Sequence, residues 1–242
     1  MKVSVIVPAH NEEGNLRSTV ETLIAGLVGA DFEREILIVD DCSTDGTGSL
    51  AERLAAEKRE VKVVHRAGSP GFGRALKRGF QVATGDYVVP FMGDGSDTPL
   101  DLIRLVRRAR VGGYDIVLGA RWISGGSVVG YPPLKMLFSR GFTFACRVLF
   151  GVKVHDCSNA FRVYKRRVVQ ELDISSSGFE ISAEVLIKAY QSGFSVSEIP
   201  VSWHGRTRGS SKLRYVKAGP RFVGFLLGRV RAVRGRGHRF NG

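Results

Sequence analysis

The stretch VPFMGDGSDTP, residues 89–99, places two carboxylates, Asp94 and Asp97, among glycines directly after an apolar run. A second carboxylate pair, Asp40–Asp41, ends the apolar run EILIVDD. One such pair alone is more often a solvated turn with a helix cap than a binding site. Two pairs at strand ends of one sheet favour a site for Mg²⁺ or Mn²⁺, because these hard cations prefer carboxylate oxygens as ligands.

Two further predicted strand ends carry polar or charged side chains, His10–Glu12 and Arg121. In open α/β sheets, ligands bind beyond the carboxyl ends of the strands. Carboxylates, a divalent cation and an arginine together suit a diphosphate that the metal bridges. The stretch GSPGFGR, residues 68–74, is interpreted as a tight turn into a helix, because it follows the third strand. The missing glycine fingerprint after the first strand argues against an NAD-dependent oxidoreductase.

The first half of the chain alternates predicted strands with predicted helices. The strands are KVSVIVP, EILIVDD, VKVVHR, DYVVPFM and YDIVLGA. The first helix has apolar residues at helical spacing, namely Leu16, Val20, Leu23, Ile24 and Leu27. Thr47 is the predicted cap of the second helix, and another helix is predicted to begin near Pro99. Strands that are apolar throughout and joined by helices indicate an α/β fold with a mostly parallel sheet covered on both faces.

The second half departs from this alternation. Residues 132–150 predict an amphipathic helix with basic side chains beside its apolar side. The apolar side consists of Leu134, Leu137, Phe138, Phe142, Ala145, Val148 and Leu149. A polar turn (155–166), a helix (179–193) and one strand (196–204) are predicted to follow. The pattern of the 132–150 helix supports a core position and a position in a membrane interface equally.

The chain has 242 residues, enough for one sizeable domain, and a formal net charge of +13. From Trp203 onward there is no Asp or Glu, so the basic character is concentrated in the C-terminal segment. This charge predicts an anionic partner: a nucleotide, a phospholipid surface or a nucleic acid. Three cysteines without a CxxC pair argue against a disulfide scaffold or zinc ribbon. No signal peptide is expected, and the sequence has no run of 18 apolar residues.

Five segments, in order, resemble family 2 glycosyltransferases with the Rossmann-like GT-A fold: VSVIVPAHNEEGNL, EILIVDDCSTDGT, GFGRALKRGFQVATGDYVV, GARWISGG and RTRGSSKL. The segments DCSNAFRVYKRRVV and GFEISAEVLIKAYQSGFSVSEIPVSW are similar to the dolichyl/polyprenyl-phosphate mannose synthase branch. The resemblance implies a GT-A domain over residues 1–213, divided into a nucleotide-sugar-binding half (1–120) and an acceptor half (121–213). A basic, amphipathic C-terminal tail would occupy residues 214–242.

This resemblance implies inverting transfer of mannose from GDP-mannose to a polyprenyl (dolichyl) phosphate. It assigns the nucleotide sugar to Pro8, Ala9, His10, Glu12, Val39, Asp41, Phe91, Met92, Gly93, Asp94, Ser96, Arg121, Glu180, Arg206 and Lys212. It assigns catalysis to Asp94, Arg121, Arg206 and Lys212, the acceptor to Lys135, Ser139 and Arg140, and the metal to Asp94 and Asp97. A phosphate monoester is largely ionised at neutral pH, so no general base is required; Asp156 is a candidate positioning residue.

Two positions depart from the family pattern. Met92-Gly93-Asp94 stands where the family has Asp-x-Asp, so the first carboxylate is missing and Asp97 is an additional one nearby. Glu180 stands where some synthases carry a lysine. UDP-glucose or UDP-N-acetylhexosamine therefore remains an alternative donor.

The basic tail leaves several partners open. Each Lys or Arg near an anionic membrane contributes about 1 kcal/mol, which favours a peripheral protein on the cytoplasmic face of a membrane. A membrane-anchored subunit is another partner that the tail suits. A nucleic-acid-binding module is the alternative from a different class. The absence of an aromatic-interleaved platform and the carboxylates at the strand ends argue against nucleic acid.

Overall fold

The computed structural model of the protein describes residues 1–205 and 224–225. The elements are β1 (Lys2–Ala9), α1 (Glu13–Gly26), β2 (Glu33–Asp41), α2 (Thr47–Glu57), β3 (Val61–Arg66), α3 (Phe72–Val82), β4 (Tyr87–Pro90), α4 (Pro99–Gly112), β5 (Ile116–Ala120), β6 (Ser127–Val129), α5 (Pro133–Phe150), β7 (Arg162–Lys165), α6 (Arg166–Glu171), α7 (Ile181–Gln191), β8 (Val196–Pro200) and β9 (Ser202–His204). Seven strands form one sheet in the order β3-β2-β1-β4-β7-β5-β8, and β6 and β9 form a small second sheet.

The sheet is mostly parallel, as predicted. Strands β3, β2, β1 and β4 are parallel neighbours, and β5 pairs in parallel with β8. The register places Ala9 opposite Asp40, and Asp40 opposite His65. The carboxyl ends of β1, β2 and β3 therefore meet at one edge, where the sequence predicted the ligand site.

Alternate residues of the strands contribute side chains to two apolar cores, one on each face of the sheet. Val5 and Ile38 lie on the face covered by α1, α2 and α4, where they pack with Leu16. Ile6 and Val39 lie on the other face, which α3, α5, α6 and α7 cover. A strand buried on both faces has no polar alternation, which explains why these strands read as continuous apolar runs.

The predicted polar turn 155–166 contains a strand, so that part of the sequence prediction was wrong. Strand β7 lies antiparallel between β4 and β5. Its first residue, Arg162, is fully buried, which a polarity pattern does not anticipate. The Arg162 guanidinium donates to the backbone carbonyls of Cys157, Asn159 and Ser182, and these hydrogen bonds offset its desolvation.

The strand predicted over 196–204 is two strands in different sheets. Strand β8 pairs with β5, whereas β9 pairs in parallel with β6, a strand that the sequence did not predict. Between them, the Val201 N–H still donates to the Ala120 carbonyl at 3.1 Å. Pro200 has no N–H to continue the ladder, and the chain changes sheets at this point.

Two predicted helix starts had different outcomes. Thr98 caps α4 by accepting the Asp101 N–H at 3.2 Å, and Pro99 is the first helical residue, as predicted. Thr47 does not cap α2; it is the first helical residue, and Gly46 precedes it. The Thr47 hydroxyl instead donates to Asp45 and accepts the N–H of Glu12. This hydroxyl therefore ties the start of α2 to the start of α1.

Helix α5 is partly buried in the core and partly exposed on the surface. Ser139, Phe142 and Cys146 are buried against the domain. Leu137 and Phe144 are each 69% exposed on the other side of the helix, near exposed Leu134 and Val148. The predicted apolar stripe is therefore divided between core and surface, because the helix packs on its small polar and aromatic face. Across the described residues, no helix is both long and apolar enough to cross a bilayer.

Candidate active site

The loops after β1, β2 and β4 bring most of the predicted donor-side residues together. Pro8 pairs with Val39 in the sheet, and the Phe91 N–H continues the ladder by donating to Ile6. The Pro8 carbonyl would lie only 3.0 Å from a Cβ at Gly93. Glycine therefore lets the Asp94 loop pass close to the end of β1. Val39 and Phe91 are fully buried, in the cores on opposite faces of the sheet.

His10 has a defined orientation at this edge. Its Nδ1 lies 2.8 Å from the carbonyl oxygen of Asp41. A carbonyl oxygen only accepts hydrogen bonds, so Nδ1 carries the proton in this contact. The ring is partly exposed beside Ala9, which is buried. Glu12 is also buried, and its Oε2 accepts from the Asn15 side chain at 2.8 Å.

Asp41 holds the glycine-rich loop, residues 68–74. Its carboxylate forms an ion pair with Arg66 and accepts the Gly71 N–H at 2.6 Å. The loop in turn packs against the segment before α7, since the Gly73 N–H donates to the Ser177 carbonyl at 3.1 Å. This arrangement confirms that 68–74 is a turn into a helix. Asp41 therefore shapes the edge through this loop.

Asp94 and Asp97 differ in their surroundings. Asp94 Oδ1 accepts the Ser96 N–H at 3.1 Å and is partly exposed, whereas Asp97 is buried and accepts the Met92 N–H at 3.0 Å. Burial, together with the negative charge of Asp94, raises the pKa of Asp97 to about 7. Among the described residues, no group of three or more His, Cys, Asp or Glu side chains is placed to hold a metal ion.

One partly exposed carboxylate nevertheless fits a divalent cation of the Mg²⁺ type. Such ions are commonly held by one or two carboxylates together with waters and substrate phosphates, without a cage of protein ligands. Asp94 meets this requirement because it is the partly exposed carboxylate of the loop. Asp97 is buried and supports the loop by accepting the Met92 N–H.

The positive charge opposite this loop is built around Arg121, at the end of β5. Arg121 Nε and Nη2 contact the two Asp156 oxygens at 2.7 and 3.0 Å, a bidentate ion pair. Arg121 is 6% exposed and Asp156 is fully buried. The negative charge of Asp156 overcomes the opposing effect of burial and raises the pKa of Arg121. The guanidinium is therefore a permanent cation in a fixed position.

Polar side chains complete the surroundings of Arg121, which we call the Arg121 cluster: Arg121, Tyr131, Ser139, Asp156 and Ser158. Arg121 donates to the Tyr131 hydroxyl at 3.1 Å and to Ser158 at 3.0 Å. Ser139 lies 2.6 Å from Ser158 across the cluster. Two of the predicted site residues, Arg121 and Ser139, therefore meet here although they come from β5 and α5.

The remaining predicted residues have separate positions. Lys135 lies one turn before Ser139 on α5 and contacts Tyr131. Arg140 is on the exposed side of α5. Glu180 is buried at the start of α7, where it accepts the Gly178 N–H at 3.0 Å. Arg206 and Lys212 lie outside the described residues, as does the tail apart from 224–225.

Sequence reasoning missed Ser158 and the aromatic side chains around Arg121. The Tyr131 ring contacts both Trp122 and Trp203, although the two tryptophans are far apart in the sequence. The parallel pairing of β6 with β9 brings them together. The His204 N–H also donates to the Ser96 carbonyl at 3.1 Å, so β9 touches the Asp94 loop. Of these three rings, only that of Trp122 could have been placed near the site from the sequence, because Trp122 directly follows Arg121.

Comparisons with known proteins agree with this architecture. The model of the family "Glycosyl transferase family 2" matches residues 4–173. Polyprenol monophosphomannose synthase of Mycolicibacterium smegmatis is 36% identical over 222 residues, covering 86% of this chain and 80% of that protein. Dolichol-phosphate mannosyltransferase of Pyrococcus furiosus is 35% identical over 217 residues, covering 88% of this chain and 60% of that longer protein.

A solved structure shows the same fold. Glucosyl-3-phosphoglycerate synthase of Mycobacterium tuberculosis, in complex with Mn²⁺, UDP and glucosyl-3-phosphoglycerate, superposes with a TM-score of 0.70. It is 23% identical, and the match covers 95% of this chain and 80% of that one. The mixed sheet with helices on both faces is thus the GT-A arrangement. From the family match and the two sequence relatives, this chain belongs to glycosyl transferase family 2.

Proposed function

We propose that this protein transfers mannose from GDP-mannose to a polyprenyl phosphate, with inversion at the anomeric carbon. The observation that carries the proposal is the similarity to a polyprenol monophosphomannose synthase over 86% of the chain. The charge distribution supports it, because the edge of the sheet sets a carboxylate loop opposite a buried arginine. A nucleoside diphosphate leaving group develops negative charge, which fixed cations stabilise.

The donor would lie along the ends of β1, β2 and β4. In this proposal the ring of His10, oriented by the Asp41 carbonyl, stacks on the base, and the buried Val39 and Phe91 support the strand ends beneath it. Pro8, Ala9, Glu12, Met92 and Gly93 line the same edge. Glu180 is included because the segment before α7 packs on the glycine-rich loop that Asp41 holds.

A divalent cation, Mg²⁺ or Mn²⁺, is part of the proposal. Asp94 would hold it, with Ser96 and Asp97 shaping the loop from behind. When bound, such a cation neutralises diphosphate oxygens and so makes the nucleotide a better leaving group. The Mn²⁺ in the M. tuberculosis structure belongs to that protein and supports the proposal by analogy of fold.

The acceptor phosphate would approach from the Arg121 cluster. Arg121 supplies a fixed positive charge there, and Lys135 and Ser139 add donors on α5. Arg140, on the outer side of the helix, would contact the lipid headgroup region. Arg206 and Lys212, which lie outside the described residues, are proposed to contact the diphosphate. The phosphate monoester brings its own nucleophilic oxygen, so the protein has to position it and shield its charge.

The outer side of α5 would lie on a membrane surface. Its exposed apolar side chains stand next to Arg140 and Arg147, which are also exposed. Apolar residues flanked by basic ones suit an anionic lipid interface. This placement would bring a lipid-linked phosphate to the start of α5. A membrane-anchored subunit bound to the basic tail would strengthen the attachment.

A transfer assay tests the proposal. Purified protein is incubated with a polyprenyl phosphate and, in parallel, with GDP-mannose, UDP-glucose and UDP-N-acetylglucosamine, each with and without Mn²⁺. We expect metal-dependent labelling of the lipid by GDP-mannose. Labelling by a UDP-sugar alone would assign a different donor, and labelling that EDTA does not affect would remove the metal from the proposal.

A further inference from the structure

Three aromatic rings meet beside the Arg121 cluster, and Tyr131 is the central one. Its centroid is 5.4 Å from that of Trp122 and 4.8 Å from that of Trp203. The interplanar angles are 83° and 79°, the edge-to-face arrangement that aromatic pairs favour. We call Tyr131 and Trp203 the aromatic corner, because their two rings stand nearly at right angles.

The Lys135 ammonium lies in this aromatic corner. Its Nζ is 5.0 Å from the centroid of Tyr131 and 5.3 Å from that of Trp203. Ring faces attract cations at such distances, and tryptophan does so most strongly. Two nearly perpendicular ring faces limit the directions in which the lysine side chain can lie. The corner therefore favours one position of the Lys135 charge.

Tyr131 also contacts the second cation of this region. The Arg121 guanidinium carbon is 5.2 Å from the ring centroid, and Arg121 Nη1 donates to the Tyr131 hydroxyl at 3.1 Å. Arg121 forms its bidentate pair with Asp156, so a phosphate arriving here meets an arginine that is already neutralised in part. Lys135 is the other cation that Tyr131 contacts.

We propose that Tyr131 and Trp203 are positioning residues that hold the Lys135 ammonium where it receives the phosphate of the acceptor. This inference rests on the proposed function and goes beyond it, since neither ring was assigned a role there. Tyr131 lies between β6 and α5, and Trp203 lies on β9. The small β6–β9 sheet therefore builds the corner at the start of the helix that carries Lys135 and Ser139.

The inference is tested by a double-mutant cycle with the full chain. The variants are Tyr131→Leu, Trp203→Leu, Lys135→Gln and each leucine change combined with Lys135→Gln. Tyr131→Phe is the conservative variant, since it keeps the ring and loses only the hydroxyl. Phe194→Leu is the matched control, because Arg167 lies 5.5 Å over that ring away from the corner. KM is measured separately for polyprenyl phosphate and for GDP-mannose.

We expect each leucine variant to raise the KM for polyprenyl phosphate about tenfold, a loss of about 1.4 kcal/mol. The KM for GDP-mannose should stay within about twofold, and Phe194→Leu should match wild type in both. Tyr131→Phe should raise the KM for polyprenyl phosphate less than Tyr131→Leu does, because it keeps the ring that faces Lys135. With Lys135→Gln present, the leucine changes should add less than about twofold. An equal rise in both KM values, or the same tenfold effect without Lys135, would overturn the inference.

Two further measurements keep the result decisive. If a leucine variant does not unfold cooperatively on heating, Trp203→Phe replaces it in the cycle, and a two- to threefold coupled effect is expected because phenylalanine attracts cations less strongly. Binding of a short polyprenyl phosphate without donor separates this inference from the proposed function. Lipid binding that depends jointly on Tyr131 and Lys135, without mannosyl transfer, would refute the proposed transfer reaction. The same result would support the positioning role of the aromatic corner. Wild-type protein that does not bind the lipid would overturn both.

Discussion

At the scale of single residues, the buried ion pair of Arg121 with Asp156 shows how the fold keeps a cation ready for an anionic ligand. Both side chains are almost completely removed from water. A buried charge is tolerated only when it is paired and hydrogen-bonded, and Asp156 supplies both through two oxygens. Asp156 also accepts the N–H groups of Arg121 and Asn159, which fixes the loop after β5 to the loop before β7.

Asp156→Asn removes this charge while it keeps the size of the side chain. We expect the free energy of unfolding to fall by about 3 to 5 kcal/mol, because the Arg121 charge remains buried without its partner. Urea denaturation measures the change, and Asp173→Asn, at an exposed carboxylate, is the control. A loss below about 1 kcal/mol would mean that water or another group compensates Arg121.

Asp94→Asn tests the carboxylate that the proposal assigns to the metal. We expect turnover to fall about 100-fold or more, since a neutral amide holds a divalent cation poorly. Asp97→Asn should cost much less, because an amide oxygen can still accept the Met92 N–H. Initial rates across a Mn²⁺ titration measure both. Equal losses would make both carboxylates ligands, as the sequence predicted.

Glu35 links stability to pH at the opposite edge of the sheet. Burial alone would raise its pKa, but hydrogen bonds from Ser4, Thr84 and Lys2 lower it to about 2. A lowered folded-state pKa contributes stability above the unfolded-state value near 4.5. That contribution, about 3 kcal/mol, is lost as the pH falls from 4.5 towards 2. Glu35→Gln should flatten the dependence of the unfolding free energy on pH over this range, which urea denaturation at several pH values measures. A variant with the same pH dependence as wild type would contradict the lowered pKa of Glu35.

The sequence indicated residues of the site where strands end, and it missed residues that long-range pairing supplies. His10, Asp41 and Asp94 follow apolar runs, and parallel strands bring such positions to one edge. Tyr131 and Trp203 follow no such rule. Their contact depends on β6 and β9, two three-residue strands that are too short to show a period.

At the scale of elements, helix α5 has one side that packs on the domain and one side that is exposed to solvent. Its inner side carries Ser139 and Phe142 into the domain, and its outer side leaves large apolar side chains in solvent. Exposed apolar residues gathered on one helix mark an interaction surface more often than isolated ones do. The hydrophobic pattern predicted the helix and its bounds within one residue, but polarity alone could not show which side would be covered.

Changes on the outer side of α5 test the membrane surface. Leu137→Glu and Phe144→Glu should each weaken sedimentation with anionic phospholipid vesicles about tenfold, because a charge replaces buried apolar area. Val111→Glu on α4 is the matched control, since Val111 is an apolar residue that is 76% exposed on another helix. Equal effects at all three positions, or none on α5, would contradict this placement.

At the scale of the whole molecule, the strand–helix alternation predicted the parallel part of the sheet correctly. The antiparallel strand β7 was missed because its register depends on a buried arginine and on neighbours from both halves of the chain. The seven-stranded sheet runs through both halves, from β3 to β8. The division at residues 120 and 121 stays a prediction about function, with donor and acceptor on either side.

The central claim is transfer of mannose to a lipid-linked phosphate, and an acceptor competition tests it most directly. The protein is supplied with radiolabelled GDP-mannose, Mn²⁺, polyprenyl phosphate and an excess of 3-phosphoglycerate, and the products are separated by partition into organic solvent. We predict label in the organic phase, lost with EDTA and unaffected by 3-phosphoglycerate. Label that remains in the aqueous phase on 3-phosphoglycerate would contradict this claim, and so would folded protein that labels neither acceptor.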